Sequence, residues 1–515
     1  MRPMAGDLIM PQETRTRFHK LHICSQAYYW VPKIGEKENM KKALLVSIIL
    51  LSTLALTIVP MTRSTTAEPD FKYNVAPTQE LFEEAADFTT PSDPVGTYVP
   101  WDVDIVNAEN YLNGGEGIYV AVIDTGLVSN WASFVAPTAT IRTDLGKGWS
   151  YDIVWNGAGF TETPNATRGF ITKAYEGSGH GTHVTCEIVG YKRSTIGVPP
   201  NTVQGVAPKA TIIPILGLDT WLVNCPDPNY PGCHAGKVLF RGGDDWMLCS
   251  AIDYVAYLAE TNGWKIICTN SWGSNQPSPA IRASIDNAIT KGVIFVFSAG
   301  NAGMAQMGWP GAYPEVISAA GGGWTMQYLG YPPSNPPSPY RWYLSDVPEK
   351  LNTKNNPIEQ IYGVPNNYYD NNWQIYLATL SGRPNAALGQ TWKDLDVCAP
   401  GCYVVGPYKP EAAWSGTAWV NLNAATAYYG LWGTSMAAPH VAGVAAIVAQ
   451  NYPTFNQADM EYVLKKGASR IPLSSNTKWL YDQFYGVEFP NNDHDAGAGW
   501  LTVDNALKTA SVYHK

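Results

Sequence analysis

Five short apolar runs mark the middle of the chain: IYVAVI at 118–123, ATIIPIL at 210–216, KIICT at 265–269, GVIFVFS at 292–298 and EVISAA at 315–320. Each is continuous rather than alternating, the pattern of a strand covered on both faces. Between the later runs the apolar spacing changes to three- and four-residue steps. DDWMLCSAIDYVAYLAET opens on two acids and predicts a helix over 244–261. PAIRASIDNAITKG predicts a second over 279–292, stopped by Lys291-Gly292. From Met436 to Gln450 the chain carries no charge and is apolar all round apart from His440, which predicts a buried helix. Alternation of strands with helices predicts an α/β domain on a parallel sheet.

Open parallel sheets place ligand sites at the carboxyl ends of their strands. The first run is followed at once by Asp124-Thr125-Gly126, the third by Asn270-Ser271-Trp272-Gly273, and the fourth by Ala299-Gly300-Asn301. An acid, a polar loop and an amide therefore converge on one sheet edge. Ser435 stands at the head of the buried helix, where a serine is ordinarily an N-cap. Pro439 argues against simple capping, because it has no N–H for the Ser435 carbonyl and its ring crowds that carbonyl. Ser435 is then placed for attack, at the positive end of a helix, and needs a base. GSGHGTHVTCEIVG offers His180 and His183. Together with Glu187 they also share one helical face, at i, i+3 and i+7, as metal ligands would. Spacing alone leaves base and metal site open.

Composition narrows the setting. Of 515 residues, 45% are hydrophobic and only 15% charged, which excludes a disordered chain. A formal net charge of −9 argues against nucleic-acid binding. Met40-Lys41-Lys42 precedes the apolar run 43–60, which reads as a secretory signal cleaved after Ala67, with an uncleaved membrane tether as the alternative. Residues 1–39 are then an extension ahead of a true start at Met40, and 68–95 a linker or short pro-segment. Seven cysteines follow the signal; Cys225 with Cys233 and Cys398 with Cys402 are the expected pairs. A zinc site on Cys225, Cys233 and His234 lacks a second ligand pair. Two long insertions, 323–393 and 403–431, are rich in aromatic residues, and the first also in Pro and Asn; they read as functional or partner-facing loops, with surface decoration as the alternative.

The motifs VAVIDTG, GHGTHV, TNSWGS, SAGNAG and GTSMAAPHVAG, in that order, resemble the subtilisin-like serine proteases. GVAP at 205–208, YPEVISAAG at 313–321, LDVCAPG at 395–401 and GAGWLTVDNAL at 497–507 extend the resemblance over residues 96 to 508. It implies a peptidase domain over 96–515 with a three-layer fold, the mostly parallel sheet carrying helices on both faces. It implies that Asp124 orients His180, that His180 takes the proton of Ser435, and that Ser435 attacks a peptide carbonyl. Asn301 and the Ser435 backbone N–H would hold the oxyanion. Ser271, Trp272 and Gly273 would pair with substrate backbone, with Gly273 lining a side-chain pocket that suits large uncharged residues. His183 becomes a structural neighbour.

The departures are specific. Thr185 and Cys186 replace the usual Ala-Gly after HGTHV, implying altered packing or a disulfide. In KRSTIGV, Ser194 replaces the usual asparagine behind two cations, so the family's common calcium site is weakened although a structural calcium stays open. The resemblance implies a secreted or surface-anchored endopeptidase, working as a monomer on protein or peptide substrates, with no cofactor in the chemistry. The rival reading is an inactive relative that binds peptides or surface partners.

Overall fold

The computed structural model describes residues 76–77, 81–84, 97–193, 201–324, 375–468 and 495–513, all within one compact unit, Thr66–Lys515. The extension 1–39, the signal-or-tether run 43–60, Ala67, the calcium-loop residues 194–198 and most of the first insertion, 325–374, lie outside the described residues.

All five apolar runs become strands, their starts offset by one or two residues: β1 Tyr119–Asp124, β2 Thr211–Leu216, β3 Ile266–Asn270, β4 Ile294–Ser298 and β5 Ile317–Trp324. A sixth, β6 Val397–Pro400, falls within LDVCAPG. They lie in the order β6-β5-β4-β3-β1-β2, each parallel to its neighbour. Every residue of β3 and β4 is buried, which is why those runs show no polar alternation. Ile375–Leu377 adds an antiparallel strand to β5, and Thr140–Ile141 and Lys147–Gly148 continue the sheet beyond β2.

The helices are α1 His180–Val189, α2 Asp245–Asn262, α3 Pro279–Thr290 and α4 Thr434–Asn451. Asp244 caps α2 by accepting from the Met247 N–H at 3.0 Å, and Gly263 ends it at φ 66°. Ser278 caps α3, with Pro279 in the first turn where no N–H is needed. Helices α2 and α3 pack together as one layer, α1 and α4 as the other, with the sheet between them. Residues 434–449 of α4 are all buried, as its uncharged sequence requires. Among the described residues no helix is long and apolar enough to cross a membrane.

Several features depart from expectation. Residues 219–242 form a hairpin, Asp219–Asn224 against Lys237–Gly242, with CPDPNYPGC at its tip. It shares a small second core, built on Tyr151, Ile153, Trp221 and Phe240, with the hairpin Ser150–Trp155/Phe160–Asn165. The expected cysteine pairs are not bonded: none of the seven described cysteines forms a disulfide, and Cys233 Sγ donates to the Cys225 carbonyl at 3.1 Å. Cys186 is a buried free thiol, so its substitution alters packing. The second insertion is a folded wall. Its strands Val404–Tyr408 and Ala427–Trp432 pair, and its chain runs beside the loop ahead of His180, with Gly179 donating to the Lys409 carbonyl at 2.8 Å. Ala412 donates to the Glu176 carbonyl and Asn423 to that of Tyr175. His234 on the neighbouring hairpin tip stacks on Trp414 at 4.9 Å.

Candidate active site

Asp124 ends β1, and burial removes both its oxygens from water. Its carboxylate faces His180 Nδ1 at 2.8 and 3.0 Å, and its Oδ1 also accepts the Thr125 N–H at 2.7 Å. His180 opens α1. The approach of that helix to β1 needs Gly181, because a Cβ there would sit 2.5 Å from the Gly126 carbonyl oxygen. Thr125 Oγ1 accepts the Gly181 N–H at 2.9 Å and donates to the Ser178 carbonyl at 3.2 Å, clamping the turn. His180 Nε2 is buried and has no hydrogen-bond partner among the described residues.

Ser435 is the second residue of α4, and the cap is Gly433. The helix start is thus displaced, as Pro439 requires. The N–H missing at Pro439 is replaced: Ser271 Oγ donates to the Ser435 carbonyl at 2.6 Å. In return Ser435 Oγ donates to the Ser271 carbonyl at 3.1 Å. Asn301 Oδ1 accepts from both the N–H and the hydroxyl of Thr434, each at 3.0 Å, and Thr434 Oγ1 accepts the Gly300 N–H at 3.1 Å. With Oδ1 so occupied, the orientation of the Asn301 amide is set.

Trp272–Gly273 forms a short strand edge, and it already carries a partner. Ala76–Pro77 pairs with it antiparallel, Ala76 opposite Gly273 and Pro77 opposite Trp272. Farther along, Leu81–Glu84 pairs antiparallel with Ala427–Trp432, the strand that leads into Ser435. The Trp272 side chain is fully buried, donating to the Ile123 carbonyl at 2.9 Å and meeting Phe297 edge to face. Only its backbone is offered at the edge.

The structure thus gathers Asp124, His180, Ser435, Asn301 and the 271–273 segment at the carboxyl ends of β1, β3 and β4. His183 and Glu187 turn to each other at 2.6 Å and not toward His180, so the three do not form a metal set, and among the described residues no group of three such side chains is placed to hold a metal ion. Thr125, Ser178 and Thr434 were not singled out from sequence. Thr125 and Thr434 stand inside the quoted motifs, but which backbone groups their hydroxyls hold depends on the folded turn.

A carboxylate, an imidazole and a serine at a helix N-terminus, on an α/β sheet edge, are the equipment of a serine hydrolase. The chain belongs to the Subtilase family, peptidase family S8, whose profile matches residues 115–499. It is 25% identical over 398 residues to M-protease of Shouchella clausii (strain KSM-K16), covering 77% of this chain and 70% of that one. It is 25% identical over 376 residues to subtilisin BL of Lederbergia lenta, covering 72% and 92%. Among solved structures, sphericase aligns over 78% of this chain and 98% of its own at 22% identity and a TM-score of 0.44. The family, with M-protease and subtilisin BL among its relatives, supports a serine peptidase.

Proposed function

We propose that the protein is an exported serine endopeptidase in which Asp124 orients His180, His180 is the base and Ser435 the nucleophile. The observation that carries this reading is the His180 ring: Nδ1 is tied to Asp124 while Nε2 is buried without a partner. The Nδ1–H tautomer leaves Nε2 as the acceptor for the Ser435 proton, and Asp124 offsets the charge of the imidazolium that forms. Rotation of the Ser435 hydroxyl away from the Ser271 carbonyl completes the transfer. Ser435 Oγ bonds to the peptide carbonyl carbon, the oxyanion rests between Asn301 Nδ2 and the Ser435 N–H, and the imidazolium protonates the leaving amine. Water then repeats the sequence on the acyl-enzyme.

The Trp272–Gly273 edge supports backbone recognition of an extended peptide, since it accepts an antiparallel strand from the chain itself. Gly273 and the small residues Ala299 and Gly300 favour a roomy pocket for large uncharged side chains. The reaction uses side-chain and backbone groups alone, and the expected product of export is a monomer acting on proteins or peptides.

The test is labelling of the purified protein with a fluorophosphonate, beside Ser435→Ala. Labelling of the wild type alone is expected; equal labelling of both, or of neither, overturns the assignment. Phe and Leu reporter peptides should be cleaved faster than Arg ones, and the reverse order would refute the pocket.

A further inference from the structure

Beneath the residues assigned to the reaction lies a second ionisable group that the reaction does not use. Asp102, His183, Glu187 and His440 are all buried. They come from three elements: the short helix Trp101–Asp104, α1 and α4. His183 Nδ1 meets Glu187 Oε1 at 2.6 Å, and its Nε2 lies 3.3 Å from the Tyr429 carbonyl. His440 Nδ1 lies 2.7 Å from the Met436 carbonyl and 3.3 Å from Glu187 Oε2, and its Nε2 lies 3.1 Å from Asp102 Oδ2.

Both ring nitrogens of His440 therefore face acceptors only, and only an imidazolium can donate from both. Burial alone would strip its proton, but the hydrogen bond to Asp102 and the Glu187 carboxylate beside Nδ1 hold it, raising the group to about 10. In turn the cation supplies the counter-charge that two buried carboxylates need.

The positions give this cluster a mechanical meaning. Glu187 is seven residues beyond His180 on α1, which places it on the same helical face. His440 is five residues beyond Ser435 on α4, and its ring holds the carbonyl of Met436, the residue after Ser435. Glu187 is thus the joint between the helix of the base and the helix of the nucleophile.

We propose that Glu187 is a positioning residue. Its carboxylate, shared between His183 and His440, fixes how α1 docks on α4 and so where His180 Nε2 stands relative to Ser435 Oγ. The inference rests on the catalytic reading above. It has a pH consequence. The groups facing His440 are Asp102 from the short helix and Glu187 from α1, with His183 behind Glu187; α4 itself contributes the Met436 carbonyl. A neutral His440 ring can donate from one nitrogen only, so its deprotonation in the alkaline range loosens one of the two links.

The test compares the full-length wild type with Glu187→Gln, which keeps the shape and removes the charge, and with Glu187→Asp, which keeps the charge. The readouts are kcat, KM and the pH profile, well below the unfolding temperature. Small misplacement of a catalytic pair costs up to about 10²-fold. The expected result is a kcat about 10- to 100-fold lower in Glu187→Gln with KM unchanged, an alkaline limb moved to lower pH, and partial recovery in Glu187→Asp. Asp102→Asn weakens the hold on His440 without touching α1 and should move the same limb the same way, which serves if Glu187→Gln does not fold. A folded Glu187→Gln with wild-type kcat and pH profile overturns the role, as does an unmoved limb in Asp102→Asn. An inert wild type would instead overturn the catalytic reading and this inference with it.

Discussion

The link between Ser271 and Pro439 can be tested as a pair. Pro439 leaves the Ser435 carbonyl without its helical N–H, and Ser271 Oγ supplies the substitute at 2.6 Å in a fully buried setting. Ser271→Ala removes this donor from a buried carbonyl. A buried acceptor left unsatisfied costs about 1–3 kcal/mol. Pro439→Ala restores an N–H aimed at the same oxygen. The double variant Ser271→Ala/Pro439→Ala should therefore regain about 1 kcal/mol relative to the sum of the two single changes. The assay is urea unfolding in a Ser435→Ala background, which prevents self-digestion. With a slope of about 3 kcal/mol/M, Ser271→Ala should lower the midpoint by roughly 0.3–1 M. An unchanged midpoint in Ser271→Ala, or strict additivity in the double variant, would refute the reasoning, since either result means the hydroxyl does not replace the missing N–H.

Three further outcomes follow from the site. Asn301→Ala should lower turnover with little change in KM; the loss known for this donor in subtilisin, a family relative, is about 10²–10³-fold, and a loss below about tenfold would count against the oxyanion role. Because His440 is raised to about 10 in the folded protein from 6.5, its contribution to stability is complete below about pH 6.5 and disappears as pH rises through 10. Thermal unfolding midpoints between pH 7 and 11 should fall accordingly, and a flat profile contradicts the ion cluster. A chain lacking residues 1–84 exposes the Trp272–Gly273 edge that Ala76–Pro77 covers. Its KM for extended peptides should be lower than that of the longer chain, and an equal KM would show that the two strands do not compete.

Continuous apolar runs marked the strands because a strand covered on both faces buries side chains of both orientations and so shows no polar alternation, and that burial is what β3 and β4 show. Placement of chemistry at strand ends followed, since the residue after a parallel strand is carried to the ligand edge whatever the connections do. Pro439 even foretold the displaced helix start, a covalent property legible in one residue. The hairpin at 219–242 was harder to read, because CPDPNYPGC suggests a loop until its flanks are seen to pair. The cysteines misled: proximity in sequence suggested bonds, while the fold leaves both expected pairs unbonded, with Cys233 Sγ turned to the Cys225 carbonyl.

By itself, then, the sequence determined the strand pattern, the polar residues at the strand ends and the apolar helix headed by Ser435, because each follows from local composition. Tertiary structure decided which groups meet. The pairing of Ser271 with a carbonyl 164 residues away, the strand Ala76–Pro77 on the Trp272–Gly273 edge, and the joining of Glu187 to His440 all depend on distant segments packing together. Glu187 shows the difference most plainly. Helical spacing made it a ligand candidate beside two histidines, and only the approach of α4 turned its second oxygen toward His440 and gave it a different partner.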